Sequence, residues 1–334
     1  MAVVNDRKGA VKKLKCLAYN SKSDTVQFRE KIEKTFYTPI LPNGVEFAET
    51  IYGGIPCDVL SPEIYASNRV VLYVHGGSFV GGSRASYRCF CSSLASKACA
   101  RVVIPEVRLA PASPYPASLE DIQSVFRALY TEEQVTSSLG NDKDSPNASP
   151  EIIIAADGSG ASVALALLFN LRERYRQCIS NVVLFSPWLN LDSSSPLLTA
   201  KKLSDDIISS DVLRKSASVY TYEGNTKSPY VSPLLAQDEQ LMDFPPVFIQ
   251  MGDTEILKED ALKFADRLVS LGNDAKVDLW PNMMFMFQMA DDYLPDSHLA
   301  MDRIGKILTG NDSGKDKVKV ENKPRLEQSL HADA

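Results

Sequence analysis

Short apolar runs alternate with longer amphipathic stretches along most of this chain. Six runs are strand-sized: Arg69-Val70-Val71-Leu72-Tyr73-Val74, Arg101-Val102-Val103-Ile104-Pro105, Ile152-Ile153-Ile154-Ala155-Ala156, Val182-Val183-Leu184-Phe185, Val247-Phe248-Ile249-Gln250-Met251 and Ala275-Lys276-Val277-Asp278-Leu279. Their apolar positions are mostly continuous, the pattern of strands covered on both faces in a parallel sheet. Helical spacing over 118–130 follows the second run, 160–175 the third, 258–271 the fifth and 297–308 the sixth. Strand–helix alternation of this kind predicts a doubly wound α/β architecture. Residues 131–150 are polar and rich in Ser, Asn and Asp, which predicts an exposed loop. Residues 310–334 have few apolar positions and read as a disordered tail. Residues 1–45 are mixed and charged, with helical spacing around Val26 to Phe36. No apolar run is long enough to span a membrane, and there is no internal repeat.

Composition narrows the function classes. A chain of 334 residues suffices for one large domain with a substantial core. The net charge of −6 gives no attraction to nucleic acid or anionic lipid. Cysteines at 16, 57, 89, 91, 99 and 178 form no CxxC pair and no zinc-ligand spacing, so free thiols and no metal or cofactor are expected. The first twenty residues lack an apolar signal-peptide core, and a cytoplasmic location is the expectation.

Candidate chemistry begins at His75-Gly76-Gly77-Ser78-Phe79, just after the first strong strand. Small residues there let backbone pass close to a substrate, with N–H groups aimed at a developing oxyanion. This segment resembles the HGGG motif of the hormone-sensitive-lipase-like esterases, with Ser78 at the third glycine position. Val107-Arg108-Leu109-Ala110-Pro111, Pro114-Tyr115-Pro116-Ala117 and Leu119-Glu120-Asp121 resemble that family's Y-R-L-A-P-E-x-x-[FY]-P-A-x-x-E-D block. Further matches are Ser186-Pro187-Trp188, Ser232-Pro233-Leu234, Pro245-Pro246-Val247 and Gly252-Asp253-Thr254-Glu255-Ile256-Leu257. The resemblance runs from about Gly53 to Leu308. It implies an α/β-hydrolase fold with a mostly parallel sheet of about eight strands and helices on both faces. It also implies a division into a cap arm over 1–45 beside the mouth of the site, a hydrolase domain over 46–309 and a tail over 310–334.

Position by position, the resemblance then fails where catalysis needs it. The family's nucleophile elbow is G-D-S-A-G; this chain reads Ala156-Asp157-Gly158-Ser159-Gly160, so Gly158 stands at the nucleophile position. Glycine fits the strained backbone of that turn but has nothing to attack with. Ser159 is the alternative nucleophile. A shift to it would make Asp157 one of the elbow's small positions and would turn the hydroxyl toward the helix, where it reads as a helix-start residue. The family's P-G-M-x-H-x-F-Q is here Pro281-Asn282-Met283-Met284-Phe285-Met286-Phe287-Gln288, which puts Phe285 at the histidine position. His298 and His331 are the histidines outside the glycine loop, one in an expected C-terminal helix and one in the tail. Glu255 keeps the acid position, with Asp253 as the alternative; lacking an imidazole to orient, Glu255 is expected to be solvated or held by another hydrogen bond.

Losing nucleophile or base in a comparable triad costs roughly 10⁶ in turnover, and losing both costs little more. The expectation is a catalytically inactive hydrolase, a pseudoenzyme, that binds a small acyl or carboxylate ligand at His75, Gly76, Gly77, Ser78 and Ser159. The N–H groups of Gly77, Ser78 and Ser159 would converge on the ligand's oxygen. Two alternatives stand beside it: an active ester hydrolase using Ser159, and a protein-interaction scaffold that works as a homodimer or with a protein partner. Met283, Met284, Phe285, Met286, Phe287 and Met289 either line an apolar pocket or plug it.

Overall fold

The computed structural model describes residues 5–38, 40–41, 44–66, 69–139 and 150–310. Eight strands form one sheet: β1 (Val45–Tyr52), β2 (Ile55–Pro62), β3 (Arg69–Val74), β4 (Arg101–Pro105), β5 (Glu151–Asp157), β6 (Ile179–Phe185), β7 (Val247–Gly252) and β8 (Ala275–Trp280). The order is β1-β2-β4-β3-β5-β6-β7-β8. The β1/β2 and β2/β4 pairs are antiparallel and the other pairs parallel. Every residue of β7, and all but the first of β3, β4 and β5, is buried, as parallel strands clothed by helices must be.

The helices are α1 (Arg7–Leu14), α2 (Thr25–Phe36), α3 (Arg84–Ala98), α4 (Ala117–Leu139), α5 (Gly160–Asn170), α6 (Glu173–Arg176), α7 (Pro196–Thr199), α8 (Ser210–Tyr220), α9 (Asp238–Leu241), α10 (Lys258–Ser270) and α11 (Pro295–Leu308). Ten of the eleven residues of α5 are buried, so this helix, led by the Gly158 turn, is the central post of the fold. All six strands read from the hydrophobic runs are present. β1 and β2 show no such run, because β1 is an edge strand with Phe47 and Ile51 exposed. Their one local signal is Gly53-Gly54, a two-residue hairpin turn with φ +60° and +85°.

Two expectations need correction. The helix expected over 160–175 stops at Asn170; Leu171 is extended, and the charged 172–174 that follow are exposed with no face to bury. The loop expected over 131–150 is helical as far as Leu139. Its extra turns are held from outside the segment: the fully buried Glu133 carboxylate is bound by Arg101 at 2.6 and 2.8 Å, and Glu132 accepts from Tyr52 Oη at 2.9 Å. The rest of that loop, 140–149, and the expected tail beyond Gly310 lie outside the described residues. Helix α3 has no expectation to match, because it is rich in Ser, Cys and Ala and buries Ser86 and Ser92.

The N-terminal arm is tied to the domain by specific bonds. Ser78 Oγ donates to the Leu17 carbonyl at 3.2 Å. Arg29 donates to the carbonyls of Val80 at 2.7 Å and Ala110 at 3.1 Å. Gly81 packs against Phe28 and Ile32 of α2, where an added Cβ would fall 2.8 Å from each side chain.

Candidate active site

The glycine loop follows β3 and the elbow follows β5, two neighbouring parallel strands paired from Arg69↔Glu151 to Val74↔Ala156. That pairing brings His75–Ser78 beside Asp157–Ser159. Asp157 fastens them. Its Oδ1 accepts from Gly76 N–H and Tyr73 Oη, both at 2.8 Å, and its Oδ2 from Tyr87 Oη at 2.9 Å. Burial pushes this carboxyl above its usual range; the three donors act in the opposite direction. No side chain fits at Gly76, whose added Cβ would meet Asp157, nor at Gly77, which has φ +97° and would meet the Gly81 carbonyl.

His75 serves the loop. Its Nδ1 lies 2.9 Å from the Gly76 carbonyl oxygen, which makes it the protonated nitrogen, and its ring stacks on Tyr87 with centroids 5.2 Å apart. Its Nε2 is buried without a partner among the described residues.

Gly158 has φ +45°. Its N–H donates to Phe185 O at 3.0 Å, and its carbonyl accepts from Trp188 N–H at 2.9 Å. A Cβ placed on Gly158 would lie 3.0 Å from Cζ of Phe285 and 3.6 Å from Cε2. The Phe285 ring thus covers the point from which a nucleophile would project. Ser159 begins α5 in ordinary helical conformation, φ −70° and ψ −25°. Its hydroxyl does not cap that helix, as the sequence reading had it; Oγ accepts from the Phe79 N–H at 3.0 Å, because the glycine loop passes closer than the helix's own amides.

The backbone N–H groups of Gly77, Ser78 and Ser159 have no acceptor among the described residues. All three residues line one cavity, together with Leu17, Trp188 and Phe285. Its volume is about 20 Å³. A single water needs at least ~10–15 Å³, whereas a drug-sized ligand needs about 300 Å³ or more. In this conformation the space holds about one water. Of the Met/Phe run, Phe285 forms a wall and Met284, Met286 and Phe287 are wholly buried elsewhere. Of that run, Phe285 alone borders the cavity.

The acid position is closed off in a different way. Glu255 is 4 % exposed. Its Oε1 accepts from Ser186 Oγ at 2.8 Å and from Gly252 N–H at 2.6 Å, while its Oε2 has no partner among the described residues. Of the two fates expected for it, the alternative hydrogen bond is found at Oε1. Burial raises this carboxyl to about 8, so it is largely protonated at neutral pH. The Met286 N–H donates to Ser186 Oγ at 3.1 Å, linking the acid to the loop that carries Phe285. Asp253 accepts from Asn282 N–H at 2.7 Å and fixes the start of that loop. His298 is exposed on α11, and His331 lies outside the described residues. Asp157, Ser186 and Tyr87 were missed as site residues by the sequence reading. The motif could have flagged Asp157, which sits inside it, whereas nothing local marks Tyr87. Among the described residues, no three His, Cys, Asp or Glu side chains group to hold a metal ion, and no helix is long and apolar enough to cross a membrane.

Comparison with known proteins agrees with this layout. A family described as alpha/beta hydrolase fold matches residues 71–289. An esterase of Acinetobacter venetianus is 29% identical over 248 residues, 74% of this chain and 77% of that protein. An acetyl-hydrolase of Streptomyces hygroscopicus is 29% identical over 240 residues, 72% of this chain and 75% of that protein. The crystal structure of an esterase from the bacterial hormone-sensitive lipase family superposes with a TM-score of 0.79 at 27% identity, covering 93% of this chain and 99% of that one.

Proposed function

This chain belongs to the alpha/beta hydrolase fold family, and we propose that it is a member without ester hydrolysis, a non-catalytic scaffold whose inherited pocket is packed shut. The observation that carries this reading is the Phe285 ring set 3.0 Å from the position of a Gly158 Cβ. It leaves neither a nucleophile nor an imidazole beside Glu255, and it reduces the cavity to about 20 Å³. Ser159 offers no replacement: its hydroxyl accepts from Phe79 N–H, and no base is among its partners in the described residues. The scaffold acts through its surface, as a homodimer or with a protein partner.

One observation favours a second reading, the small acyl or carboxylate ligand. The unpaired N–H groups of Gly77, Ser78 and Ser159 border the cavity, and such a group of amides favours an anion or a carbonyl oxygen. For that ligand to enter, Phe285 must swing away.

Hydrolysis of p-nitrophenyl acetate and butyrate by the purified protein tests the first reading. No turnover above a heat-denatured control is expected. Turnover at ordinary esterase rates that is abolished by Ser159→Ala would overturn it. Titration with acetate and butyrate, followed by amide NMR, tests the second reading: saturable shifts at Gly77, Ser78 and Ser159 would replace the scaffold with a ligand binder.

A further inference from the structure

The sheet ends at β1, and that edge is open. β1 pairs with β2 alone among the described strands, in one unbroken register from Val45↔Pro62 to Tyr52↔Ile55. The Glu63 N–H donates to the Gly44 carbonyl at 2.8 Å, which makes 44 and 63 a hydrogen-bonded pair. Such pairs alternate along an antiparallel ladder, so Glu46, Ala48, Thr50 and Tyr52 bond to β2. The N–H and C=O groups of Val45, Phe47, Glu49 and Ile51 point the other way, out of the sheet. Exposed edges are ordinarily guarded by Lys, Pro or a bulge. β1 has none of these, and its Phe47 and Ile51 are 45 % and 69 % exposed. We propose that this edge pairs, antiparallel and about a two-fold axis, with β1 of a second copy of the chain.

The strand is complementary to itself in one register. Centred on Ala48, the two copies match all four outward residues: Val45 with Ile51, Phe47 with Glu49, and the reverse. Centred on Phe47 or on Glu49, only three outward residues of the strand are matched, and the second choice sets Glu49 against its own copy. Like charges directly opposite are destabilising. The Ala48 register also places the smallest side chain of β1, which is exposed, on the axis. Charge fits the same register. The Arg88 guanidinium lies over the Phe47 ring, 4.4 Å from its centroid, and is 3.6 Å from Glu49 of its own copy. Glu49 of the second copy, opposite Phe47, comes to the same guanidinium and adds an ion pair across the axis. This pairing gives the scaffold reading its partner and rests on that reading for its purpose, but it uses no pocket residue. Its failure would therefore leave the outcome of the hydrolysis assay untouched.

Light scattering after gel filtration measures the mass of the full chain at about 100 μM, well above a micromolar Kd. Twice the chain mass is expected. Phe47→Pro removes an outward N–H and no bond to β2, so the edge strand tolerates it while the mass falls to that of one chain. A thermal melt close to that of the parent confirms that this variant is folded. Ala48→Cys reads the register without disturbing the pairing. Its thiol meets its own copy on the axis at a Cα separation of about 4.5 Å, within disulfide reach, and mild oxidation should link most chains in pairs. Glu49→Cys stands opposite Phe47 and not opposite itself, so it should link no more than the parent, whose own free cysteines set the background. A parent of single-chain mass, a folded Phe47→Pro variant that stays paired, or equal linking at 48 and 49 would each overturn the proposal. Single-chain mass with the Phe47 and Glu49 amides still protected from hydrogen exchange would overturn it in favour of another segment of the same chain at this edge.

Discussion

The Phe285 ring lies against Gly158, with its Cζ 3.0 Å from the place where a Cβ on that glycine would be. Each residue makes room for the other. A serine at 158 would press on the ring, and a smaller residue at 285 would leave a hole over the glycine. Two positions 127 residues apart in the chain have become one packing unit.

Their energetics should therefore be coupled. Gly158→Ala forces an L-residue into φ +45°, at a cost of about 1–3 kcal/mol, and adds the contact with the ring. Phe285→Ala removes a buried ring, at about 3–5 kcal/mol. The double variant should be more stable than the sum of the single losses by at least ~0.5 kcal/mol. Urea denaturation of the four proteins measures this, and strict additivity would show that the two side chains do not share space.

Restoring chemistry requires both positions. Gly158→Ser or Phe285→His alone should leave hydrolysis of p-nitrophenyl butyrate undetectable, because lacking either partner costs roughly 10⁶ in turnover. The combined Gly158→Ser/Phe285→His variant should gain measurable turnover, and Glu255→Gln in that background should reduce it again. A combined variant that folds and stays silent would mean that the mouth of the site, and not the missing groups, blocks the reaction.

Glu255 should make stability fall as pH rises. Its carboxyl titrates at about 8 in the folded chain, against 4.5 for the ordinary group, so the folded state binds the proton more tightly. Its contribution is fully present below about pH 4.5 and is lost as pH rises toward 8, a change on the order of a few kcal/mol. Glu255→Gln should flatten the midpoint-versus-pH curve over that window and stabilise the chain most at pH 8 and above. A curve unchanged by Glu255→Gln would place the titrating group elsewhere.

Asp157 should matter for stability. Asp157→Ala leaves three buried donors without their acceptor, and each such loss costs about 1–3 kcal/mol. Tyr87→Phe removes one donor and should cost about 1–2 kcal/mol. Equilibrium unfolding should rank the two variants in that order. The amide of Gly76, which donates to Asp157, should lose its hydrogen-exchange protection in Asp157→Ala.

Five of the six strands read from apolar runs, β3 to β7, were legible because strands covered on both faces must be largely apolar, whereas β8 is an edge strand with a single buried residue. The turn at Gly158 was legible because the preceding strand and the following helix fix its register without a gap. What escaped reading depends on contacts between distant residues. β1 is an edge strand that needs no apolar run, and the last turns of α4 are held by Arg101 and Tyr52 from other strands. The roles of Ser159 and Ser186 were hidden for a similar reason. A serine's partner is set by whichever backbone passes nearby: Phe79 N–H for one, Met286 N–H and the Glu255 carboxyl for the other.

The bonds from Ser78 to Leu17 and from Arg29 to Val80 and Ala110 also set a time scale. An amide without an acceptor ordinarily exchanges its hydrogen with solvent quickly, yet those of Gly77 and Ser159 sit on buried residues beneath the arm. Their exchange is expected to quicken when the segment around Leu17 and α2 lifts away from the glycine loop. The arm is then a clock of the interior: the exchange rate of two unbonded amides is expected to report how often Leu17 and α2 let go.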